Sequence, residues 1–287
     1  MKGIVIMDKP EGVTSFKALG LIKKAYGTKR VGHTGTLDPD ATGILPILVG
    51  NATRAAELIV STDKEYVTTI LLGVRTDTLD MSGNVLEERE VNVSCDKIRE
   101  TVASFVGDIE QIPPMYSAIS VDGVRLHSLA RQGIEIERQS RPVTIHEIEI
   151  MDISLPFVTL RVSCSKGTYI RTLADDIGEK LGTLAAVKTL RRSKTGLFDL
   201  SVAHTPEEIT ANPEGCLLPL DTCFLEYDKI TLDEKKSKMV KNGVPIYINA
   251  KEGQTYRVYD NEGDFIALSK AEKIDGRLCL KMIKGFY

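Results

Sequence analysis

Two carboxylates and a histidine stand close together near the start of the chain, in a stretch that is poor in apolar residues. His33, Asp38 and Asp40 lie within residues 32–43, which also contain three glycines and only two clearly apolar residues. The stretch has neither the helical nor the strand period of apolar residues, and this predicts a loop. Because the apolar run 44–49 follows directly, we expect the loop to be tied to the core while it presents Asp38 and His33 at a surface.

Three interpretations of this loop differ in what they require nearby. A calcium-binding loop needs oxygen ligands at alternate positions, which Asp38, Asp40 and Thr42 imitate. Its twelfth position, however, is Val49 instead of a bidentate glutamate, so we reject calcium. The same spacing resembles the aspartyl-phosphate loop of dehalogenase-type phosphatases, but that nucleophile directly follows an apolar strand, and here a polar stretch precedes Asp38. On the loop alone, a structural turn and a catalytic carboxylate both remain open.

Composition limits the classes of protein that this chain can belong to. It has 287 residues, 42% hydrophobic and 27% charged, which suits one large globular domain or one large and one small. No apolar run approaches the roughly 20 residues of a membrane span. Five scattered cysteines and four histidines show no metal-ligand spacing, which predicts reduced thiols and no structural metal. We expect a cytoplasmic monomer that needs no metal or other cofactor.

Positive charge is concentrated in two parts of the chain, although the formal net charge is −3. Residues 1–54 carry eight basic side chains against four acidic ones, and residues 188–194 add four basic side chains without an acid. A local basic surface favours a nucleic-acid partner more than the total charge opposes one. Ordinary solvated faces would explain the same counts.

Apolar patterns and turn residues divide the chain into a larger and a smaller part. Strands are predicted at 3–7, 65–74, 85–91, 142–153, 157–164 and 184–190. Capping residues predict helices at about 15–25, at 94–106 and after Thr205, and another helix is predicted at 172–181. In the first of these, Phe16, Leu19, Ile22 and Tyr26 stand at helical spacing, which predicts a buried face. Residues 112–142 look like an excursion from this core, with a short basic helix near 126–131.

The last sixty residues differ in character from the rest. Residues 212–228 contain two prolines and little periodicity, so we place a domain boundary between 227 and 228. A charged helix at 233–241 precedes short strands near 246–248, 255–259, 264–269 and 277–283, which turn dipeptides separate. This pattern predicts a small all-β module, which we interpret as a barrel.

The loop and six further motifs, in consistent order, resemble the tRNA pseudouridine-55 synthases of the TruB family. The loop contributes residues 32–39 and 41–43. The other motifs are Asp8–Ser15, Lys64–Tyr66, Gly73–Thr78, Pro114–Ala118, Gly167–Arg171 and Leu190–Arg192. The match covers about residues 1–200. Residues 228–287 resemble, by pattern more than by motif, the PUA-type RNA-binding module that often follows this catalytic domain.

The resemblance implies a fold and an activity. It implies an α+β catalytic domain over 1–227, with a mixed, largely antiparallel sheet and flanking helices, and a PUA-like barrel over 228–287. The implied reaction is the isomerisation of uridine to pseudouridine at position 55 in the T loop of tRNA. The excursion at 112–142 would close over the RNA, and the small domain would grip the acceptor-stem end.

Residue roles are likewise implied by the resemblance. Asp38 is the implied nucleophile and Arg171 its partner, since a carboxylate in a dry pocket needs a cation to remain ionised. Tyr66 is implied to stack against the target base and to take part in a later proton transfer. Breaking a glycosidic bond and forming a C–C bond oxidises nothing, so the reaction needs no metal or redox cofactor.

A second group of residues is implied to bind the substrate. The resemblance places His33 in the gap left by the flipped nucleotides and makes Tyr169 and Leu190 walls of the pocket. Lys9 and Asp80 complete the implied substrate-binding set.

Two departures and two alternatives accompany this interpretation. Ser120 and His127 stand where the family commonly has lysine and tyrosine, which affects the RNA contacts of the excursion and not the chemistry.

A non-catalytic RNA-binding or tRNA-folding protein could use the same scaffold, but binding alone does not require a carboxylate that faces phosphates. A guide-RNA-dependent synthase would need partner proteins.

Overall fold

A computed structural model describes residues 2–59, 63–117, 119–121 and 123–287 of the chain. Ala118, in the fifth motif, lies outside these residues. The described residues form a nine-stranded sheet, a five-stranded sheet and two small hairpins. In the part of the chain described, no helix is both long enough and apolar enough to cross a membrane.

Strands and helices alternate irregularly along the chain, as in an α+β protein. The strands are β1 (Gly3–Lys9), β2 (Val31–His33), β3 (Thr42–Val49), β4 (Lys64–Leu72), β5 (Val74–Thr76), β6 (Val85–Glu88), β7 (Gly107–Gln111), β8 (Ser120–Val121), β9 (Val124–Arg125), β10 (Arg141–Ser154), β11 (Phe157–Cys164), β12 (Ala185–Thr195), β13 (Phe198–Asp199), β14 (Asp228–Thr231), β15 (Ile246–Tyr247), β16 (Thr255–Tyr259), β17 (Phe265–Ile274) and β18 (Arg277–Gly285). The α-helices are α1 (Ser15–Ala25), α2 (Ala56–Ile59), α3 (Cys95–Ala103), α4 (Leu126–Ala130), α5 (Ile170–Leu181), α6 (Pro206–Ala211) and α7 (Glu234–Lys241).

The large sheet is mixed and largely antiparallel, as the sequence predicts. Its order is β1-β3-β12-β4-β11-β10-β7, with β2 beside β3 and β13 beside β12. Among the described strands of this sheet, only β12 and β3 run parallel to each other. The strand β12, which follows α5 in the chain, lies between two strands that matter for the site. One is β3, which follows the polar loop, and the other is β4, which carries Tyr66.

The strands at one end of the sheet are buried on both faces. Along β1, Val5 and Met7 belong to one apolar cluster, whereas Ile4 and Ile6 belong to a second cluster on the other face. The run 44–49 in β3 divides between the two clusters in the same way. Burial on two faces explains why these strands read as continuous apolar runs instead of alternating ones.

The C-terminal strands form the second cluster together with the large sheet. Their hydrogen-bonded order is β14-β16-β17-β18-β15. Phe265 and Phe286 from this segment pack with Phe224 and with apolar residues of β1 and β3. The pairing confirms the predicted strands and adds β14, which begins at Asp228. A closed barrel and the boundary at 227/228 stay predictions.

Local sequence signals located most elements, but one expectation was wrong and one strand was not predicted. Thr14, Ser94 and Thr205 cap the helices that follow them. Phe16, which the helical spacing places on the buried face of α1, is 76% exposed, because Ser15, Ala18 and Ile22 face the core instead. The sequence analysis did not predict β7, since exposed charged residues alternate with its inward ones.

The close approach of β3 to β12 yields a first prediction. Gly43 has a φ of 98°, and a Cβ there would lie 2.3 Å from the carbonyl oxygen of Arg192. We expect Gly43→Ala to lower the free energy of unfolding by more than about 2 kcal/mol. Gly20 lies exposed in α1 with open space around it, so Gly20→Ala should stabilise by up to about 1 kcal/mol. Urea unfolding of both variants checks this, and equal effects would contradict it.

Candidate active site

An aspartate from the polar loop meets an arginine from the start of α5. A side-chain oxygen of Asp38 lies 3.0 Å from Nη2 of Arg171. The Arg171 side chain is only 6% exposed, whereas 40% of the Asp38 side chain is exposed. The carboxylate therefore faces an open space and rests on a buried guanidinium, a geometry that leaves one side of Asp38 available to a reactant.

Arg171 also holds two neighbouring segments in place. Its Nη1 donates to the carbonyl of Thr78 and its Nη2 to the carbonyl of Tyr116, both at 2.8 Å. A side-chain oxygen of Asp80 lies 3.6 Å from Nη1. Since a guanidinium offers five N–H donors in a fixed plane, one side chain orients Asp38 and both flanking loops at once.

The second carboxylate, Asp80, is itself anchored by its own loop. Its Oδ1 accepts hydrogen bonds from the hydroxyl of Thr78 at 2.7 Å, and from the backbone N–H and hydroxyl of Ser82 at 3.1 and 2.6 Å. These bonds leave Oδ2 directed at Arg171. Asp80 thus competes with Asp38 for the same cation.

Buried polar contacts brace the loop that carries Asp38. The hydroxyl of Ser15 donates to the carbonyl of Leu37 at 2.9 Å and accepts from its N–H at 3.0 Å. Nζ of Lys9 donates to the carbonyl of Pro39 at 2.9 Å, and to two further carbonyls near its own strand. The residues on both sides of Asp38 are therefore held by hydrogen bonds, which add to the anchoring of the loop by its two buried apolar residues, Leu37 and Ala41.

Lys9 does not lie where the sequence analysis expected a substrate-binding residue. It is fully buried, and its ammonium group is enclosed by three carbonyl oxygens at 2.7–2.9 Å. Burial lowers the pKa of Lys9 to about 8, although Asp40 and Asp38 oppose this shift. In this arrangement Lys9 supports the loop backbone instead of facing a ligand.

A cavity of about 300 Å³ lies beside Asp38 and Arg171, with both polar and apolar side chains in its lining. Tyr66, Tyr169 and Leu190 are among the residues that line it. Leu190 also lines a second cavity, of about 330 Å³, together with Asp38, Asp80 and Arg171. Cavities of this size with aromatic walls suit a small planar ring.

A larger groove, of about 780 Å³, also borders Asp38 and Arg171. His33 lines this groove, as do Asp38 and Arg171, so the histidine lies along the approach and not in the aromatic cavity. Two arginines of the excursion, Arg125 and Arg131, line the same groove. Asp40, Asp77 and Asp80 line it as well, so the groove carries acidic and basic side chains together.

Burial shifts the pKa of several groups around the cavity. It raises the pKa of Asp38, and the guanidinium of Arg171 opposes this shift. Burial also raises the pKa of Tyr66, against the effect of Arg192. It lowers the pKa of His33, and Arg192 acts in the same direction. At neutral pH these shifts favour a neutral His33 and a protonated Tyr66 hydroxyl.

Three supporting residues had no role assigned from sequence. Ser15 clamps Leu37, and Arg192 donates to the carbonyls of Gly35 and Ile44. Gln111 bonds the backbone of Tyr169 through both its side-chain oxygen and nitrogen. Ser15 and Arg192 stand within motifs that the sequence analysis quoted, so their type and position gave a signal. Gln111 stands in the strand that was not predicted.

Taken together, these features define an enzyme class. A carboxylate that is held by a buried guanidinium, in a cleft with aromatic side chains, suits nucleophilic or acid–base chemistry on a ring-shaped substrate.

Comparison with known families gives the particular assignment. Residues 23–170 match the model of the TruB family pseudouridylate synthase N-terminal domain, and residues 171–224 match that of the tRNA pseudouridylate synthase B C-terminal domain. The chain therefore belongs to the TruB family of pseudouridylate synthases and is an isomerase.

Relatives of similar length support the same family. The chain is 42% identical over 280 residues to tRNA pseudouridine synthase B of Clostridium tetani, covering 95% of this chain and 96% of that protein. It is 47% identical over 251 residues to the protein of that name from Alkaliphilus oremlandii, covering 87% and 84%.

The fold also has solved counterparts. A chain of a Cbf5–Nop10–Gar1 complex superposes with a TM-score of 0.74 and 25% identity, covering 99% of this chain and 85% of that one. A chain of an H/ACA ribonucleoprotein bound to a substrate RNA with 2′-deoxyuridine gives a TM-score of 0.73 at 23% identity, covering 99% and 85%. These likenesses confirm the predicted pseudouridine-synthase fold.

The shared guanidinium yields a second prediction. Arg171→Met removes the cation that opposes the effect of burial on Asp38, so the pKa of Asp38 should rise further above 3.8. On acidification, the Asp38 carboxylate would then become protonated at a higher pH than in the wild type. A carbon-13 NMR titration of aspartate carboxyls, with Asp38→Asn for assignment, measures this. Arg161→Met, which removes a remote partner of Glu149, is the control. An unchanged pKa of Asp38 in Arg171→Met would refute the predicted effect of the guanidinium on this carboxyl.

Proposed function

We propose that this protein isomerises uridine to pseudouridine at position 55 in the T loop of tRNA, with Asp38 as the nucleophile. The observation that carries the proposal is the ion pair of Asp38 with the buried Arg171 at the floor of a cleft lined by Tyr66 and Tyr169. The relatives named above are tRNA pseudouridine synthases, which supports tRNA as the substrate.

The reaction needs a group that can hold one fragment while the other turns. The N1–C1′ glycosidic bond breaks, the base rotates, and a C5–C1′ bond forms. One proton leaves C5 and one reaches N1, so atoms and charge balance without an oxidant or a reductant. A covalent adduct with a carboxylate divides this difficult step into two easier ones and keeps the fragments together. Asp38 is half-exposed and held from one side only, as that role requires.

The surrounding side chains suit the substrate of this step. Tyr66 and Tyr169 offer aromatic rings to a pyrimidine base, and Leu190 closes the cavity from another side. Asp80 shares Arg171 with Asp38, so it limits how tightly the cation neutralises the nucleophile. We assign to Tyr66 both stacking on the base and exchange of a proton with it.

The base must leave its stack to enter the cavity, at a cost of a few kcal/mol. A T-loop nucleotide that is already partly unstacked reduces that cost. His33 lines the groove outside the aromatic cavity, which supports its role in filling the space that the flipped nucleotides leave. Arg125 and Arg131 line the same groove, so the excursion at 112–142 would contact the RNA backbone.

We assign the C-terminal segment, from 228 to 287, a PUA-like role in binding the acceptor-stem end. Its sheet packs on the large sheet through Phe265 and Phe286, opposite the helices that cover the other face. A docked second domain would extend the RNA-binding surface beyond the T arm. In this proposal the enzyme works as a monomer.

The third prediction tests the nucleophile. Wild-type protein incubated with unmodified tRNA should form pseudouridine at the T-loop uridine, mapped by chemical labelling and sequencing. Asp38→Asn keeps the size of the side chain but removes the attacking charge, so single-turnover rates should fall by at least about 1,000-fold. Its Kd for tRNA should stay within about threefold, because the carboxylate repels phosphates and does not hold them.

Two outcomes would contradict this. A wild-type protein that binds tRNA well and forms no product would favour the alternative, a non-catalytic RNA-binding protein on the same scaffold. Loss of tRNA binding in Asp38→Asn, with a lowered Tm, would instead assign Asp38 a structural role.

The fourth prediction tests the C-terminal segment. Full-length tRNA should bind about tenfold more tightly than an isolated T-arm stem-loop, which corresponds to one or two added charge-assisted contacts. A tRNA that lacks the acceptor-stem strands beyond the T arm should bind like the stem-loop. Equal Kd values for all three RNAs in equilibrium titrations would exclude an acceptor-stem contact.

A further inference from the structure

Arg192 is the largest fully buried side chain among the residues that the structure describes, with 1% of its surface exposed. Two of its nitrogens donate to backbone carbonyls: Nε to Ile44 at 2.7 Å and Nη2 to Gly35 at 3.2 Å. Unlike Arg171 and Arg191, it forms no ion pair with any carboxylate among the described residues. A buried cation without an anionic partner is costly to maintain, which calls for a reason.

Strand register explains how Arg192 reaches both sides of the site. It stands on β12 directly opposite Tyr66 on β4, and next to Gly43 on β3. Gly43 has no side chain, and a Cβ there would meet the Arg192 backbone at 2.3 Å. The two strands can therefore approach closely, and the guanidinium bonds Ile44 beyond Gly43 and Gly35 in the Asp38 loop.

The positive charge of Arg192 acts on several titratable groups from the surrounding elements. These are Lys9 on β1, His33 on β2, and Lys64 and Tyr66 on β4. The charge favours the deprotonated form of all four groups, but only Tyr66 becomes an anion when it loses its proton, so only there does Arg192 attract the deprotonated form directly. Cys164 and Asp38 also face Tyr66 and act in the opposite sense.

We propose that Arg192 is a positioning residue for the isomerisation, which fixes the Asp38 loop relative to Tyr66 and holds a permanent positive charge beside the Tyr66 hydroxyl. It touches neither base nor ribose and acts through these two residues. The charge stabilises negative charge that develops on the hydroxyl oxygen while Tyr66 exchanges a proton with the base. This role rests on the proposed function of Asp38 and Tyr66.

The test compares single-turnover rates at saturating tRNA with the Kd for tRNA. Arg192→Met keeps the length of the side chain but removes the charge and the donors, and its rate should fall by about 10- to 100-fold, the effect of one charged hydrogen bond. Its Kd should stay within threefold of the wild type. Arg192→Lys keeps the charge and should recover part of the rate. Arg161→Met, on β11 of the same sheet and paired with Glu149, is the matched control and should leave the rate unchanged.

A double-mutant cycle distinguishes positioning from general support of the fold. If Arg192 acts partly through Tyr66, Arg192→Met should slow Tyr66→Phe by less than it slows the wild type. A rate for Arg192→Met within threefold of the wild type, or fully additive losses in the double variant, would overturn the proposal. Weaker tRNA binding together with a lowered Tm in both Arg192→Met and Arg192→Lys would also overturn the proposal, since that pattern assigns Arg192 to the fold alone. A wild type that makes no pseudouridine would refute the proposed function itself, whereas an active wild type with an unaffected Arg192→Met refutes only this role.

Discussion

The ion pair between Asp38 and Arg171 is the contact on which the arrangement of the site depends. A guanidinium with 6% exposure must use its donors inside the protein, and here it does so with two carboxylates and two carbonyls. Those acceptors belong to three different segments of the chain. One buried charge thus brings together the polar loop, the segment around Thr78 and Asp80, and the start of the excursion at Tyr116.

The polar loop illustrates how a segment with few apolar residues can be held rigidly. Three buried side chains donate hydrogen bonds to carbonyls of the loop. Ser15 donates to Leu37, Lys9 to Pro39 and Arg192 to Gly35. Such bonds are directional, so they fix where Asp38 points as well as where the loop lies. Apolar packing alone would restrain position with less control of direction, and a nucleophile needs both.

Burial on two faces connects the site to the rest of the molecule. The strands β1 and β3, on either side of the loop and α1, have one apolar face toward the helices and one toward the C-terminal sheet. Aromatic contacts among Phe224, Phe265 and Phe286 complete that second layer. The C-terminal segment therefore packs directly on the strands that flank the loop, and it also has an apolar cluster of its own.

The sequence by itself determined the class of fold, most elements and the residue types of the site. Capping residues located α1, α3 and α6, and strict alternation located β11, because these signals act between near neighbours in the chain. Motif order identified the family, and with it Asp38, Arg171, Tyr66, Tyr169 and Leu190 as candidates. Sequence did not foresee that Phe16 would be exposed, or that β7 would join the sheet edge and supply Gln111.

Only the tertiary structure decided what each buried cation does. Lys9 and Arg192 are as basic by type as the arginines that line the groove, yet both are enclosed and donate to carbonyls of the loop. The role of Arg192 depends on strand register and on the glycine at position 43, which bring it to carbonyls more than 100 positions away in the chain. The sequence alone does not show which group a charged residue pairs with. Electrostatic energy depends on separation and burial, and both are set by the tertiary structure.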